Sequence, residues 1–400
     1  MPNINLTSST DGDLGNRYIT KEYLMTVYPQ IANQLITPEL WVWGGNSYGR
    51  LGNNTTTQSN TPITTFAGGA NWKQVSGGGY STAAIKTDGT LWTWGHGTSG
   101  QLGDNTIISR STPVTTFAGG TNWKQVSGGA SSTAAIKTDG TLWTWGSNFQ
   151  GMLGDNTTTD RRTPVTTFAG GTNWKQVSAG RNMMAAIKTD GTLWTWGFNF
   201  AGGLGNNTTN SILTPVTTFA GGTNWKQVDC GYFHAAAIKT DGTLWTWGRN
   251  NNFAQLGDNT IISRSTPVTT FAGGTNWKQV DCGAYYTAAI KTDGTLWTWG
   301  LGTDGQLGDN TIISRSTPVT TFAGGTNWKQ VACGYVTAAI KTDGTLWTWG
   351  LGTSGQLGDN TIISRSTPVT TFAGGTNWKQ VSGGRVHTSA IKTSDDLQGI

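Results

Sequence analysis

Apolar and polar positions alternate in short runs along most of the chain, and this pattern predicts β-strands rather than helices. In residues 90–95 (T-L-W-T-W-G), Trp92 and Trp94 fall on one face of a strand and Thr93 on the other, because successive side chains point to opposite faces. The preceding run, residues 82–87 (T-A-A-I-K-T), is separated from it by Asp-Gly. An Asp-Gly pair between two such runs predicts a tight hairpin, because its turn needs positive φ.

Two further strands follow in the same stretch of sequence. Residues 113–118 (P-V-T-T-F-A) predict an edge strand, where a proline removes no ladder hydrogen bond. A Gly-Gly turn then leads into residues 122–126 (N-W-K-Q-V), which predict a fourth strand. Four antiparallel strands in about fifty residues are the content of one propeller blade. The sequence therefore predicts one blade within residues 82–133.

The tryptophans show that this unit recurs seven times, since the W-x-W-G motif returns every 50 to 52 residues. A fixed period near fifty residues with several strands per unit indicates a β-propeller, and seven blades can close into a ring. We predict an all-β fold, a seven-bladed propeller of four-stranded antiparallel blades over residues 40–400, with the tryptophans packed between blades. The motifs hold Trp41/Trp43, Trp92/Trp94, Trp143/Trp145, Trp194/Trp196, Trp245/Trp247, Trp297/Trp299 and Trp347/Trp349.

The two ends of the repeat array are complementary. Residues 390–393 (A-I-K-T) reproduce the first hairpin strand, but no W-x-W-G follows them. Conversely, residues 40–44 contain a W-x-W-G motif with no A-I-K-T before it. We therefore predict that the strand at residues 40–44 pairs with the strand around Ile391, so that both ends complete one blade and no sheet edge stays open.

These motifs resemble the regulator of chromosome condensation repeat family. The matching stretches are residues 143–154 (W-T-W-G-S-N-F-Q-G-M-L-G), Pro164, residues 228–234 (V-D-C-G-Y-F-H) and residues 238–242, which end in D-G. The resemblance covers roughly residues 40–393. It implies a seven-bladed propeller and places His234 and His387 at the family's usual histidine position. It implies no single activity, because fold and function separate readily.

Charge and cysteine content narrow the function classes. The net charge is +5, but fourteen of the fifteen lysines recur at two repeat positions, such as Lys73 and Lys86, and so are spread around the ring. Nucleic-acid binding is therefore not expected.

No segment has the length and apolarity for membrane insertion. Cys230, Cys282 and Cys333 share one repeat position with Gly and Ala, which predicts free structural thiols.

The repeats differ from one another mainly in two places, the segment before A-I-K-T and the loop after W-x-W-G. Equivalent positions of a ring lie on one face, so each place forms a circle of seven side chains. Aromatic, Arg, His and Asn side chains on turns suit recognition of a partner; drift at loop positions without packing constraint is the alternative. The candidate binding-face residues are Tyr48, Tyr80, Arg181, Phe198, Phe200, Tyr232, Phe233, His234, Phe253, Tyr285, Tyr286, Tyr335, Arg385 and His387.

Catalytic chemistry is not indicated. The chain shows no nucleophile motif, phosphate loop or paired carboxylates, and its three histidines lie in separate repeats. The Asp-Asn-Thr loops, such as the one at Asp104, lack the dense acidic spacing of a calcium site and suit turns instead. We therefore expect no enzyme activity, no cofactor and no metal.

Residues 1–39 do not share the repeat, and we predict that they form a separate anchoring or docking segment. Residues 20–28 (T-K-E-Y-L-M-T-V-Y) predict a short helix that begins after Thr20. The stretch D-L-G-N-R-Y-I-T-K-E-Y-L before the propeller resembles the N-terminal segments of structural proteins of tailed bacteriophages. The apolar side of the predicted docking helix comprises Tyr23, Leu24, Val27, Tyr28 and Ile31.

Three functions are consistent with the sequence. The first is a non-enzymatic virion structural protein of a phage tail, with residues 1–39 bound to other virion proteins and the propeller facing a host surface receptor or glycan. The second is a cytoplasmic propeller regulator that binds a small GTPase or chromatin, as implied by the repeat family. The third is a glycan-binding lectin, suggested by the Tyr- and Asn-rich loops.

Overall fold

Four short strands recur seven times in the computed structural model, which describes residues 37–66 and 70–393. Each set of four forms an antiparallel sheet, and the seven sheets are the blades of a closed propeller. The predicted seven-bladed fold is confirmed. Blades 1 to 6 span residues 72–115, 123–166, 174–217, 225–269, 277–320 and 328–370, and blade 7 combines residues 378–393 with residues 38–64.

Within each blade the strands are numbered from the central channel outward. The first strands are Trp72–Gly77, Trp123–Gly128, Trp174–Ala179, Trp225–Cys230, Trp277–Cys282, Trp328–Cys333 and Trp378–Gly383. The second strands are Ser81–Lys86, Ser132–Lys137, Met183–Lys188, His234–Lys239, Tyr286–Lys291, Val336–Lys341 and His387–Thr393. The third strands are Leu91–Gly95, Leu142–Gly146, Leu193–Gly197, Leu244–Gly248, Leu296–Gly300, Leu346–Gly350 and Pro38–Gly44. The fourth strands are Arg110–Thr115, Arg161–Thr166, Ile212–Thr217, Arg264–Thr269, Arg315–Thr320, Arg365–Thr370 and Ser59–Thr64.

The N-W-K-Q-V strand belongs to a different blade from the one that the sequence predicts. Trp123–Gly128 pairs with the strand that follows it, Ser132–Lys137, rather than with the hairpin that precedes it. It is therefore the innermost strand of its blade. The Gly-Gly turn before it crosses from the outermost strand of one blade to the innermost strand of the next, so the predicted unit of residues 82–133 straddles two blades.

Blade 7 is closed by the two ends of the repeat array, as predicted. Pro38–Gly44 pairs antiparallel with His387–Thr393 in an unbroken register, with Leu40 opposite Ile391. The two strands thereby satisfy the edges that each would otherwise expose. The predicted helix and its apolar side lie outside the described residues.

Tryptophans fill the space between blades. Trp94 is fully buried, and its indole Nε1 donates a hydrogen bond of 2.9 Å to the Arg50 carbonyl in the preceding blade. Trp72 meets Trp94 edge to face, with ring centroids 6.2 Å apart. Such aromatic pairs add about 0.5–1.5 kcal/mol to the free energy of burial. This confirms that the repeated tryptophans are packing elements.

Small side chains complete the core. Cys230, Cys282 and Cys333 are buried and free, as predicted, and burial raises the pKa of the Cys230 thiol.

The only helices in residues 37–66 and 70–393 are two single 3-10 turns, Phe149–Gly151 and Phe200–Gly202. Accordingly, none of the described helices has the length and apolar character that a membrane span requires.

Candidate functional site

Both variable segments of the repeat lie on the same face of the propeller. In an antiparallel blade, the turn between the first and second strands and the loop between the third and fourth strands are at one end. The Asp-Gly hairpin and the Gly-Gly link are at the other end. We name the first of these ends the aromatic–arginine face, defined by Tyr48, Arg50, Tyr80, His96, Arg181, Tyr232, Phe233, Arg249, Phe253, Tyr285, Tyr335 and Arg385.

Two aromatic rings cover a buried cation where blade 7 meets blade 1. The Arg50 guanidinium carbon lies 5.6 Å from the ring centroids of both Tyr48 and Tyr80. Burial lowers the pKa of Arg50 to about 10, so it remains a cation at neutral pH. The His96 ring contacts the Tyr48 ring at a centroid distance of 4.3 Å with the planes tilted by 55°, and the pKa of His96 is lowered by burial and by the charge of Arg50.

The same pattern continues across blades 3 to 6. Tyr232 contacts Tyr285 and Tyr335 edge to face, at centroid distances of 5.6 and 5.9 Å. Phe253 lies 4.7 Å from Tyr285, and the Arg181 guanidinium carbon lies 5.1 Å from the Tyr232 ring. Burial raises the pKa of Tyr232, so its hydroxyl stays protonated at neutral pH.

Arginines connect these two groups into one surface. Arg385 lies over both Tyr80, at 5.0 Å, and Tyr335, at 5.6 Å. Arg249 lies 5.6 Å from Phe233 and 5.7 Å from Phe253. Ring and guanidinium contacts therefore run without interruption from Tyr48 in blade 7 to Phe253 in blade 4, past the mouth of the central channel.

A second aromatic group borders this surface. Phe198 stacks on Phe200, with centroids 6.1 Å apart and planes 9° apart, and contacts Phe149 at 5.8 Å. Phe149 and Phe200 are more than half exposed. A cavity of about 200 Å³ joins this group to the main surface, because Phe149 lines it together with Tyr80, Arg181, Tyr232 and Arg385.

Three candidate residues lie in the interior and not on this face. His234, Tyr286 and His387 are each the first residue of a second strand and are fully buried between blades. His234 Nε2 lies 3.0 Å from the Thr287 hydroxyl, and His387 Nε2 lies 2.9 Å from the Thr82 hydroxyl. The Tyr286 hydroxyl donates to the Val336 carbonyl at 2.9 Å. Their side chains connect neighbouring blades and are unavailable to a partner.

Four residues of the surface and its border are absent from the predicted set: Arg50, His96, Phe149 and Arg249. His96 and Arg249 are the first residues after W-x-W-G in their repeats, and Arg50 and Phe149 lie further along the same variable loop. Their positions in the variable part of the repeat could have identified all four as candidate binding-face residues. Which members of that loop contact rings of the neighbouring blade depends on blade packing.

The central channel is lined by the seven first strands and encloses a cavity of about 230 Å³. Most side chains here are Ser or small, but blades 4 and 5 carry Asp229 and Asp281. The Asp229 carboxylate accepts hydrogen bonds from the Ser178 hydroxyl at 2.8 Å and the Cys282 backbone N–H at 2.7 Å. Burial raises the pKa of Asp229 to about 6, and burial and the nearby Asp229 charge raise that of Asp281.

The described residues contain no group of three or more His, Cys, Asp or Glu side chains placed to hold a metal ion. The Asp-Asn-Thr loops form ion pairs instead: in five blades the aspartate pairs with an arginine six residues later, as Asp258 does with Arg264 at 3.0 Å. The Thr260 hydroxyl also donates to Asp258 at 2.7 Å. The loop carboxylates are thus used in turn formation, in line with the sequence-based interpretation.

Comparison with known proteins places this geometry in a family. The RCC1-like domain matches residues 112–398, and the regulator of chromosome condensation (RCC1) repeat matches residues 39–85 and 72–101. The ultraviolet-B receptor UVR8 of Arabidopsis thaliana is 31% identical over 288 residues, which are 70% of this chain and 64% of UVR8, slightly less than two thirds of its length.

Solved structures share the fold. The crystal structure of human WBSCR16 superposes with a TM-score of 0.78 at 20% identity, covering 90% of this chain and 99% of that one. Prp20p from Saccharomyces cerevisiae superposes with a TM-score of 0.76 at 18% identity, covering 90% of this chain and 93% of that one. Because the RCC1-like domain spans most of the propeller, this chain belongs to the RCC1-like domain family.

Proposed function

We propose that this protein is a non-enzymatic interaction propeller of the regulator type, which binds an acidic surface of a protein partner through its aromatic–arginine face. The observation that carries the proposal is the continuous series of ring and guanidinium contacts around the channel mouth. Arg385 between Tyr80 and Tyr335 is its central link.

The composition of the face supports recognition of a protein. Tyr and Arg are the residue types that most often dominate binding energy at protein interfaces, because they combine large area with hydrogen-bonding groups. Here the rings already contact one another, so little side-chain freedom remains to be lost on binding. Among the twelve residues that define the face, Arg181, Arg249 and Arg385 keep exposed surface and none is a carboxylate, which favours an acidic partner.

The family comparisons favour the regulator hypothesis over the virion hypothesis. The matched relatives include plant UVR8 and human HERC2, and the Prp20p structure is described with its binding to Gsp1p and histones. The virion hypothesis rests on residues 1–39, and the lectin hypothesis on loop composition alone. Both stay predictions, as does the choice between a virion and a cytoplasmic location.

Affinity capture with matched variants tests the proposal. Arg181→Ala, Tyr232→Ala and Arg385→Ala are combined on the aromatic–arginine face. The control is Phe168→Ser with Phe219→Ser, two exposed side chains just before the Gly-Gly links at the opposite end of the propeller. We expect a defined acidic protein to be retained by the wild type and the control and lost from the triple variant. That protein is then purified and its affinity measured directly. Retention of the same proteins by the triple variant would contradict the proposal, as would absence of any retained acidic protein.

A nucleotide-exchange assay addresses the finer question of a GTPase partner. The full chain is added to purified small GTPases loaded with a fluorescent guanine nucleotide, and nucleotide release is followed. Acceleration by the wild type and not by the triple variant would identify the partner class. Failure with every GTPase, together with capture of another acidic protein, would leave the interaction face correct and the GTPase assignment wrong.

A further inference from the structure

The end of the propeller opposite the aromatic–arginine face is strongly basic. Every lysine in residues 37–66 and 70–393 lies at this end, because the first strands begin here and the second strands finish here. The lysines are evenly spaced around the ring, as the sequence indicates, but they are not divided between the two faces. Seven of the lysines are exposed, and each directly follows the tryptophan with which a first strand begins: Lys73, Lys124, Lys175, Lys226, Lys278, Lys329 and Lys379.

These seven lysines are not neutralised by neighbours. All five ion pairs among the described residues join an arginine to an aspartate near the other end of the blades. The second set of seven lysines packs on tryptophan rings, as Lys188 does on Trp174 at 4.7 Å and on Trp194 at 4.4 Å.

The carboxylates at this end are fewer than the lysines. They are Glu39 and the six hairpin aspartates, Asp88, Asp139, Asp190, Asp241, Asp293 and Asp343. Each aspartate is held within its own turn, as Asp88 is by the Thr90 N–H at 2.9 Å and the Thr90 hydroxyl at 2.7 Å. With fourteen lysines and seven carboxylates, the described residues of this face carry 14 − 7 = +7.

A circle of exposed phenylalanines lies on the same face. Each one follows a fourth strand, and each is 63–68% exposed, which is unusual for so large an apolar side chain. The backbone at each position is hydrogen-bonded within its blade, since the Phe117 N–H donates to the Gly103 carbonyl at 2.8 Å and its equivalents do the same. The seven are Phe66, Phe117, Phe168, Phe219, Phe271, Phe322 and Phe372. We name this end, with its fourteen lysines and seven phenylalanines, the lysine–phenylalanine face.

From this arrangement we propose that the lysine–phenylalanine face docks on an anionic lipid bilayer. Here the exposed phenylalanines follow the outermost strands and the exposed lysines lie on the innermost strands. Exposed aromatic rings beside lysines are what a peripheral membrane surface needs, because the rings enter the headgroup–acyl boundary while the ammonium groups meet anionic headgroups. The propeller lies on the bilayer without crossing it. Its aromatic–arginine face then points into solution, so the proposal neither uses nor requires the partner site described above.

The sevenfold repetition of the same side chains around this face indicates which kind of partner fits it. All seven blades present Phe and Lys at equivalent positions, so the partner has to offer the same chemistry to each blade at once. A bilayer is uniform in its plane and does so, whereas an acidic peptide or a nucleic acid strand would contact only part of the circle. A second copy of the chain is disfavoured, because two faces of +7 would repel each other.

Vesicle sedimentation with the full chain tests the proposal. Wild-type protein is mixed with vesicles of phosphatidylcholine alone or of phosphatidylcholine with phosphatidylserine, and the pelleted fraction is measured. We expect binding to the phosphatidylserine vesicles only. The binding should be lost in about 1 M salt, where the Debye length falls to about 3 Å.

Three variants assign the binding to this face. The first is Phe117→Ser, Phe168→Ser and Phe219→Ser, and the second is Lys124→Gln, Lys175→Gln and Lys226→Gln. Each should lower partitioning by about tenfold or more, because the first variant removes rings from the headgroup–acyl boundary and the second removes three ammonium groups from the anionic surface. The control is Ile312→Ser with Ile313→Ser, which removes equally exposed apolar side chains near the other end of a blade. It should bind like the wild type, and all three should keep the wild-type melting temperature.

Several outcomes would overturn the proposal. One is no partitioning of the wild type onto phosphatidylserine vesicles. Another is partitioning that the isoleucine control loses and both face variants retain. A third is binding of polyuridylate, abolished by the lysine substitutions, in the absence of vesicle binding, which would assign the face to nucleic acid instead.

Discussion

The Gln380 side chain binds both backbone groups of Val75, which is 305 residues earlier in the chain. Its Nε2 donates to the Val75 carbonyl at 3.1 Å, and its Oε1 accepts from the Val75 N–H at 3.0 Å. First strands are sheet edges, so Val75 would otherwise present an unpaired N–H and C=O to the channel wall. The other six glutamines of the N-W-K-Q-V motif make the same paired contact with the next blade, for example Gln74 with Val126. The hydrogen-bonded circle closes between blades 7 and 1.

Replacing this glutamine should weaken the ring. Gln380→Met keeps the size of the side chain but leaves the Val75 N–H and C=O without partners. We expect a loss of about 2–4 kcal/mol in the free energy of unfolding, since each unsatisfied backbone group costs about 1–3 kcal/mol. Chemical denaturation measures the change. Lys379→Met, at the exposed neighbouring position, is the control, and an equal loss in both variants would contradict the explanation.

Deleting the closing strand should have a large effect. Removing residues 1–36 leaves Pro38–Gly44 in place, and we expect the melting temperature to be nearly unchanged. Removing residues 1–45 takes away the strand that pairs with His387–Thr393 along its whole length, and we expect a sharp drop in melting temperature. Differential scanning calorimetry measures the melting temperatures of both truncated proteins and of the full chain. Equal stability would show that the ring does not depend on this pairing.

The glycine that follows the leucine in the loop after W-x-W-G, such as Gly205 after Leu204, should tolerate no side chain. Gly205 has φ +65°, and a Cβ there would lie 2.8 Å from the Trp247 indole of the next blade. Gly205→Ala should therefore lose about 2–4 kcal/mol, combining backbone strain with overpacking. Gly221 also has positive φ, at +53°, but a Cβ there would meet nothing within 4 Å. Gly221→Ala should lose only the strain, about 1 kcal/mol, and unfolding in denaturant compares the two.

Asp229 should make stability depend on pH. Its pKa in the folded protein is raised to about 6 from an ordinary value of 3.8. As the pH falls from 6 towards 4, the Asp229 carboxylate therefore takes up a proton in the folded state but not in the unfolded state. The free-energy cost of burying its negative charge then disappears. We expect Asp229→Asn to be more stable than the wild type by about 1–3 kcal/mol at pH 8, with no advantage at pH 4.

Two comparisons make the pH experiment specific. Asp88→Asn is the control, because turn hydrogen bonds from Thr90 lower the pKa of Asp88, so losing its charge should bring no gain at pH 8. His234 and His387, whose pKa values burial lowers to about 3, destabilise every variant alike below pH 6.5. An advantage of Asp229→Asn that is constant from pH 4 to pH 8 would contradict the assignment.

The predictable part of this protein follows from local pattern. Alternation around Trp92 and Trp94, the Asp-Gly turns and the fifty-residue period determine strands, hairpins and a blade count of seven. The complementary ends around Leu40 and Ile391 determine that the ring closes. These features depend only on near neighbours in sequence and on the need to satisfy strand edges.

The blade boundary was not predictable in the same way. A strand such as Trp123–Gly128 is separated by short turns from the strands on both sides, and either neighbour offers a compatible alternation. Only the closed ring decides between them, because the innermost strands need the glutamine contacts with the next blade, such as that of Gln380 with Val75.

The division of side chains between interior and surface was likewise decided by tertiary structure. Tyr285 and Tyr286 are adjacent in a variable segment, yet one lies on the aromatic–arginine face and the other is buried against Thr337. Fourteen lysines that look dispersed along the chain all lie at one end of the blades. The sequence by itself determined seven strand-rich repeats and their closure. Which face each side chain occupies was decided by strand direction and by contact with the adjacent blade, which lies about fifty residues away.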